Sequence, residues 1–252
     1  STHSGSVASK LLLKIKTKYR VNNFYQGRNK SYNLITQESD YYRSAIERDL
    51  DCLRSLGLES FVMKTKLFLT DSEILAAKNT LVAKGLNHNK KKILVHPTAA
   101  VSIREWPLTK FNQLIIKLNQ RKDIQIVVIC TESEYSRVKT LLEDIPDLII
   151  FHQITVRQMM AIIHQCDLVI DNDSSPSHIA TALGIPTIVL FSQAILEIFR
   201  PYDYDNDQHF VFYNDVDCRE CGLTYCSNRI CLDFSVDEVF SKAIEMLPLS
   251  NH

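Results

Sequence analysis

The sequence predicts an α/β fold: a parallel sheet with helices on both faces. Short apolar runs recur through the chain, as KILVH at Lys92–His96, IQIVVIC at Ile124–Cys130, Leu168–Asp171 and TIVLF at Thr187–Phe191. Segments with helical periodicity separate them, and capping or turn residues mark the helix ends. Strands buried on both faces lose the apolar/polar alternation of half-exposed ones, and strands joined through helices run parallel.

The elements follow in order. Residues 1 to about 60 are basic, rich in Asn and Tyr, and irregular, with helices expected at Val7–Lys16 and Tyr41–Leu56, the second stopped by Gly57. Thr70 and Glu73 form a capping box that opens a helix toward Gly85. After the strand Lys92–His96, Pro107 suits a first helical position, and Phe111, Leu114, Ile115 and Leu118 supply an apolar helix face. Beyond Ile124–Cys130 come a helix at Glu132–Glu143, a strand at Leu148–Phe151 and a helix capped by Thr155 that runs to His164. Leu168–Asp171 leads into a helix at Pro176–Leu183, ended by Gly184, and then the strand Thr187–Phe191. Ser235 and Glu238 cap a last helix through Leu247. The change in character near residue 65 divides the chain into domains at 1–65 and 66–252.

Composition removes some classes of function. The 252 residues carry 29 basic and 29 acidic side chains, and a nucleic-acid partner normally requires a basic excess. The charge is uneven, however. Ser1–Gln37 has no acidic residue but holds Lys10, Lys14, Lys16, Lys18, Arg20, Arg28 and Lys30. Such a segment can face an anionic membrane or a phosphorylated substrate, although a solvated helix face is the plainer account. No apolar run is long enough to span a bilayer, and Lys14 interrupts Leu11–Leu13 before it resembles a signal core. The expected location is cytoplasmic, with room for peripheral contact at the inner membrane.

In open parallel sheets ligands bind beyond the carboxyl ends of the strands, often at helix N-termini. Asp171-Asn-Asp-Ser-Ser-Pro-Ser-His178 occupies such a place. Free amide hydrogens and the positive end of the helix dipole suit a diphosphate there. Asp173 can accept bonds from sugar hydroxyls, and Ser174, Ser175 and His178 can face phosphate. The competing account is that Asp173 or Ser174 only caps the helix and His178 packs on the sheet.

The stretch resembles the signature of glycosyltransferase family 9, the ADP-heptose:lipopolysaccharide heptosyltransferases, at Asp173, Ser174, His178, Ala180, Ala182, Gly184, Pro186 and Phe191. Ser175 and Ser192 stand where the family has glycine. His96-Pro-Thr…Arg104-Glu-Trp-Pro107 resembles a second family element, with Arg104 in place of the lysine that neutralises the sugar diphosphate. Thr98 would contact phosphate, while Trp106 reads as packing for the helix start. Alignment to the family by spacing puts Glu134 on the nucleotide ribose, with Glu132 as the register alternative, and Ile154 over the adenine.

The resemblance implies a GT-B-like architecture with a Rossmann-like sheet in the C-terminal domain and an incomplete Rossmann-like N-terminal domain. It implies inverting, metal-independent transfer of heptose from an ADP-sugar donor to the lipopolysaccharide inner core at the membrane surface, with no cofactor and no nucleic acid. Asp173 and Arg104 would be its catalytic pair. The family's N-terminal strand and Gly-Asp loop, which supplies a general base, have no counterpart, since Gly5 is followed by Ser6. A nucleotide-sugar-binding protein without transferase activity is therefore the alternative.

Of seven cysteines, Cys52, Cys130 and Cys166 lie among apolar residues and read as buried. Cys218-x2-Cys221-x4-Cys226-x4-Cys231 leaves open a structural zinc, a disulfide or free thiols. A zinc-knuckle reading implies nucleic acid, against the neutral charge, and a reducing cytosol disfavours disulfides.

Overall fold

A computed structural model describes residues 6–22, 32–36, 44–59, 64–201 and 208–247. The chain forms two compact units, Ser1–Lys64 with Ile195–Arg200, and Thr65–Ala194 with Pro201–His252. In the first unit, α1 (Ser6–Lys14) ends two residues before the expected Lys16. The strands β1 (Val21–Asn22) and β2 (Leu34–Ile35) pair in parallel. Helix α2 (Ala45–Arg54) begins where the Ser44 hydroxyl accepts the Ile46 amide, and its Arg54 pairs with Glu47 and Asp51. Just beyond its end Gly57 takes φ +75°, a conformation that costs glycine little. The expected start of this helix at Tyr41, together with Gly5, Arg28 and Lys30, lies outside the described residues.

The second unit carries the predicted sheet. Its elements are α3 (Asp71–Ala83), β3 (Lys91–His96), α4 (Leu108–Asn119), β4 (Ile124–Ile129), α5 (Glu132–Leu142), β5 (Ile149–Phe151), α6 (Val156–Ile163), β6 (Leu168–Asn172), α7 (Ser175–Leu183) and β7 (Thr187–Leu190). They continue, after the short α8 (Leu196–Phe199) of the first unit, with β8 (His209–Phe212) and α9 (Val236–Met246). The six strands are all parallel, in the order β5-β4-β3-β6-β7-β8. Capping boxes at Thr70, Thr131, Thr155 and Ser235 start α3, α5, α6 and α9. Gly184, at φ +74°, ends α7. Pro107 differs from its expected place: it is the N-cap of α4, one residue before the first helical position. Its extended ψ of 127° brings the chain out of the preceding turn before the helix begins.

The alternation of strand side chains fills both faces. Ile93, Val95, Ile126, Val128 and Ile170 meet Phe111, Leu114, Leu118, Val138 and Val239 from α4, α5 and α9. Leu94, Val127, Ile129 and Val169 point the other way, against Leu81, Ala161, Ile162 and Ala180 from α3, α6 and α7. Cys52, Cys130 and Cys166 are buried, and burial pushes the Cys130 thiol up to about 11.

This layering predicts unequal costs along one helix. Phe111, fully buried on α4, should lose about 3–5 kcal/mol on replacement by alanine. Ile116, exposed on the same helix, should lose well under 1 kcal/mol. Urea unfolding midpoints at constant m-value check the difference.

Candidate functional site

The strand order reverses between β3 and β6. From β3 the chain steps outward through β4 to β5, returns to β6, and then steps the other way to β8. Loops leaving the two central strands diverge, and the crevice between them is where open α/β sheets hold ligands. The register places His96 beside Asp171 at that point, and both sequence motifs follow directly.

Asp171 is fully buried and is met by three donors. His96 Nδ1–H approaches at 2.8 Å, the Ser174 hydroxyl at 2.9 Å and the Ser177 amide at 2.8 Å. The bond to Nδ1 leaves His96 Nε2 facing the Thr98 hydroxyl at 3.2 Å, and Thr98 is itself fully buried. Asp171 thus caps α7, and Ser174, the geometric N-cap, turns its side chain to Asp171 instead of the helix. Pro176 has no amide hydrogen and that of Ser177 is engaged, so Ser175 keeps the free donor among the first three helical positions. Ser175 is exposed and has no positive φ, so its Cβ fits without strain where the resembling motif has glycine. His178, in the first turn, is exposed. Protein around its base holds the imidazole pKa below its usual value, against the pull of Asp171.

Asp173 is only 5% exposed, and its Oδ2 has no hydrogen-bond partner. The nearest cation is Arg104, whose Nη1 lies 3.8 Å away on a side chain that is 41% exposed. Burial pushes the Asp173 carboxyl up to about 6; Arg104 opposes the shift and Asp171 adds to it.

Arg104 closes a 3-10 turn at Ser102–Arg104, and the residues after it are fixed from three sides. Glu105, 4% exposed, accepts both terminal nitrogens of Arg137 at 2.8 Å and the Ala99 amide at 3.1 Å. The Glu105 carbonyl accepts Arg229 at 3.0 Å. Asn172 accepts the Trp106 amide and donates to the Thr98 carbonyl. Trp106 is fully buried, edge-on to Phe111.

On the β4–β5 side a cleft is lined by His96, Cys130, Glu132, His152, Ile154, Thr155 and Met159. Glu132 pairs with His152, which stacks on Tyr135 at 3.6 Å. Of the two glutamates in the register alternative, Glu132 lines this cleft. Glu134 closes the Thr131 capping box. Burial pushes the Glu134 carboxyl up, but Thr131, Thr98 and His96 outweigh it and hold the pKa below the usual range. At the end of β7, Ser192 is fully buried, and its carbonyl accepts a guanidinium nitrogen of Arg219.

The cysteine cluster does not form a tetrahedral site. Among the described residues no three His, Cys, Asp or Glu side chains converge to hold a metal. Cys231 packs in the core, Cys226 accepts the Arg229 amide, and Cys218 and Cys221 are exposed, the latter bonded to Gln193. Cys218 and Cys226 lie near enough to act on the Cys231 thiol, whose pKa is raised chiefly by burial, but the group does not converge on a metal position.

The sequence profile of glycosyltransferase family 9 (heptosyltransferase) matches residues 2–228. The chain belongs to this family. It is 27% identical over 162 residues to lipopolysaccharide heptosyltransferase 3 of Escherichia coli K12, a match that covers 62% of this chain and 46% of that protein. It is 28% identical over 158 residues to lipopolysaccharide heptosyltransferase 1 of Campylobacter coli, covering 55% and 45%. The chain therefore spans about half the length of these relatives. A family 9 glycosyltransferase structure from Veillonella parvula superposes with a TM-score of 0.82 at 18% identity, over 97% of this chain and 72% of that one. The E. coli ADP-heptose heptosyltransferase II gives 0.78 at 15% identity, over 98% and 75%. The fold is thus the GT-B-like one of these glycosyltransferases.

The two aspartates of this family 9 site differ in a testable way. The folded-state pKa of Asp173 is raised, so the fold is favoured while the group is neutral and penalised as pH rises through about 6. Asp173→Asn should therefore be more stable than wild type by about 2–3 kcal/mol at pH 8, with the gap closing toward pH 4. Thermal melts across that range measure it. A variant less stable at pH 8 would show that the carboxylate is satisfied in the fold.

Proposed function

We propose that this chain binds an ADP-heptose donor at the β3/β6 switch point and transfers heptose to the lipopolysaccharide inner core. Membership of family 9 and the names of the relatives support the substrate class. The observation that carries the site is Arg104, held beside buried Asp173 at the N-terminus of α7. In this reading the adenosine lies in the cleft lined by Glu132 and Ile154, and the diphosphate sits over Ser174 and Ser175. Asp173 contacts the sugar. Thr98, Glu134 and His178 support the same wall from behind or beside it.

As the glycosidic bond breaks, charge builds on the leaving ADP. Arg104, the Ser175 amide and the helix dipole would stabilise that charge, and preorganised donors need no rearrangement at that moment. These groups suit inversion without a metal, because the cation is supplied by a side chain. In this reading residues 1–65 form the acceptor-side domain and 66–252 the donor domain. Among the described residues no helix is long and apolar enough to cross a membrane. The exposed Lys10, Lys14, Lys16 and Lys18, interleaved with exposed Leu11, Leu13 and Ile15, favour a cytoplasmic protein peripheral to the inner membrane, where the acceptor is anchored. No nucleic acid is required.

Calorimetric titration with ADP and ADP-heptose, without added metal, should show saturable binding of both. Arg104→Ala should weaken it by about tenfold or more, the loss of one charge-assisted phosphate contact. Equal affinity in the variant would remove Arg104 from the site.

A further inference from the structure

The charges around Asp173 do not suit an anionic ligand. Among the described residues, Arg104 on the turn after β3 is the one cation placed on it, at 3.8 Å. Asp171, on β6 two positions before it, adds a second buried carboxylate, with His96 of β3 bonded to it and His178 of α7 within its field. Beyond β7, Arg219 donates through Nε and Nη1 to the carbonyls of Asn214 and Ser192, and it is not among the charges that act on Asp173. The Asp173 Oδ2 meanwhile has no donor at all. A sugar diphosphate arriving here brings two negative charges and draws Arg104 toward them. An ionised Asp173 would then be buried beside a like charge with no protein donor on its Oδ2, a combination that favours the neutral form.

We propose that the donor binds with uptake of a proton, carried by Asp173, so that the site holds a neutral carboxylic acid in the complex. This rests on the donor site lying where Arg104 and α7 meet. The neutral acid can donate through its hydroxyl to a phosphate or sugar oxygen and accept through its carbonyl, two bonds that the carboxylate cannot make together. The near-neutral titration of Asp173 in the unliganded fold, about 6, makes the uptake small in acid and nearly complete above neutrality. Donor affinity should therefore fall by about tenfold per pH unit above neutrality.

The test is calorimetric titration with ADP-heptose at pH 5.5–8.5, in PIPES and in imidazole buffers. Both phosphates of this ligand are diesters, ionised throughout the range, so any proton taken up belongs to the protein. ADP would confuse the reading, because its terminal phosphate titrates near neutrality. The buffers differ in ionisation enthalpy, so the difference in heat counts protons. Wild type should take up most of one proton per ligand at pH 7.5. Asp173→Asn, which fixes the neutral hydrogen-bonding shape, should take up none and should bind more tightly than wild type at pH 8.5. Binding without uptake, or uptake that persists in the Asn variant, overturns the proposal and leaves the donor site standing. An Asn variant that binds more weakly than wild type at every pH also overturns it. Failure of both proteins to bind ADP-heptose at any pH overturns the donor site itself, and the proposal with it.

Discussion

The pairing of β3 with β6 is the constraint from which the site follows. It makes the sheet turn back on itself, and its last rung sets His96 beside Asp171. A carboxylate buried at that depth must be hydrogen-bonded or neutral. Asp171 is bonded on every side, and the donors it collects come from β3, from the N-cap of α7 and from its first turn. One side chain thus fixes the imidazole, the start of the helix and the amide left exposed at Ser175. The helix N-terminus is narrower as an anion site than its sequence suggests, because an internal anion already occupies part of it.

The loop after β3 is immobilised by a similar economy of bonds. Glu105 takes Arg137 in a two-pronged pair and also ties the loop to itself through Ala99. Asn172 stitches the same loop to β6 through Trp106 and Thr98. Arg104 lies between these anchors with its side chain 41% exposed. A fixed backbone beneath it limits the freedom that would be lost on meeting a phosphate in the proposed site.

The strands and helices of the second unit were legible in the sequence because each satisfies a local rule. Runs buried on both faces read as strands, and capping boxes at Thr70, Thr155 and Ser235 marked helix starts to the residue. The edge strand β8 was missed although Phe210-Val211-Phe212 is an apolar run: the run is short, and as an edge strand it is only half-buried after His209. At the site, Asp173, Arg104 and His178 were found through the family motif. Asn172 and Glu105 were missed because their main partners lie far away in the chain, and Asp171 because Asp173 and Ser174 were the expected caps of α7. Asn172 meets Trp106 across 66 positions and Glu105 meets Arg137 across 32, separations that no motif encodes. Three consecutive polar residues, Asp171–Asp173, closing an apolar strand were the available signal. The cysteines show the converse, a suggestive spacing that packing does not assemble.

Two aspartates, separated only by Asn172, differ because Asp171 belongs to the paired part of β6 and Asp173 lies past its end. Asp171 faces the donors of β3 and α7, so its charge is balanced inside the protein and organises the fold. Asp173 lies beyond the last rung, where the loop opens and Arg104 approaches from outside without a hydrogen bond. Its burial destabilises the charged form, and Arg104 offsets that only in part. Evolution retains such groups where a ligand completes them, since most replacements that relieve the strain also remove the function. If the donor binds here as proposed, the unsatisfied carboxyl is the group it completes, while the satisfied one holds the frame around it.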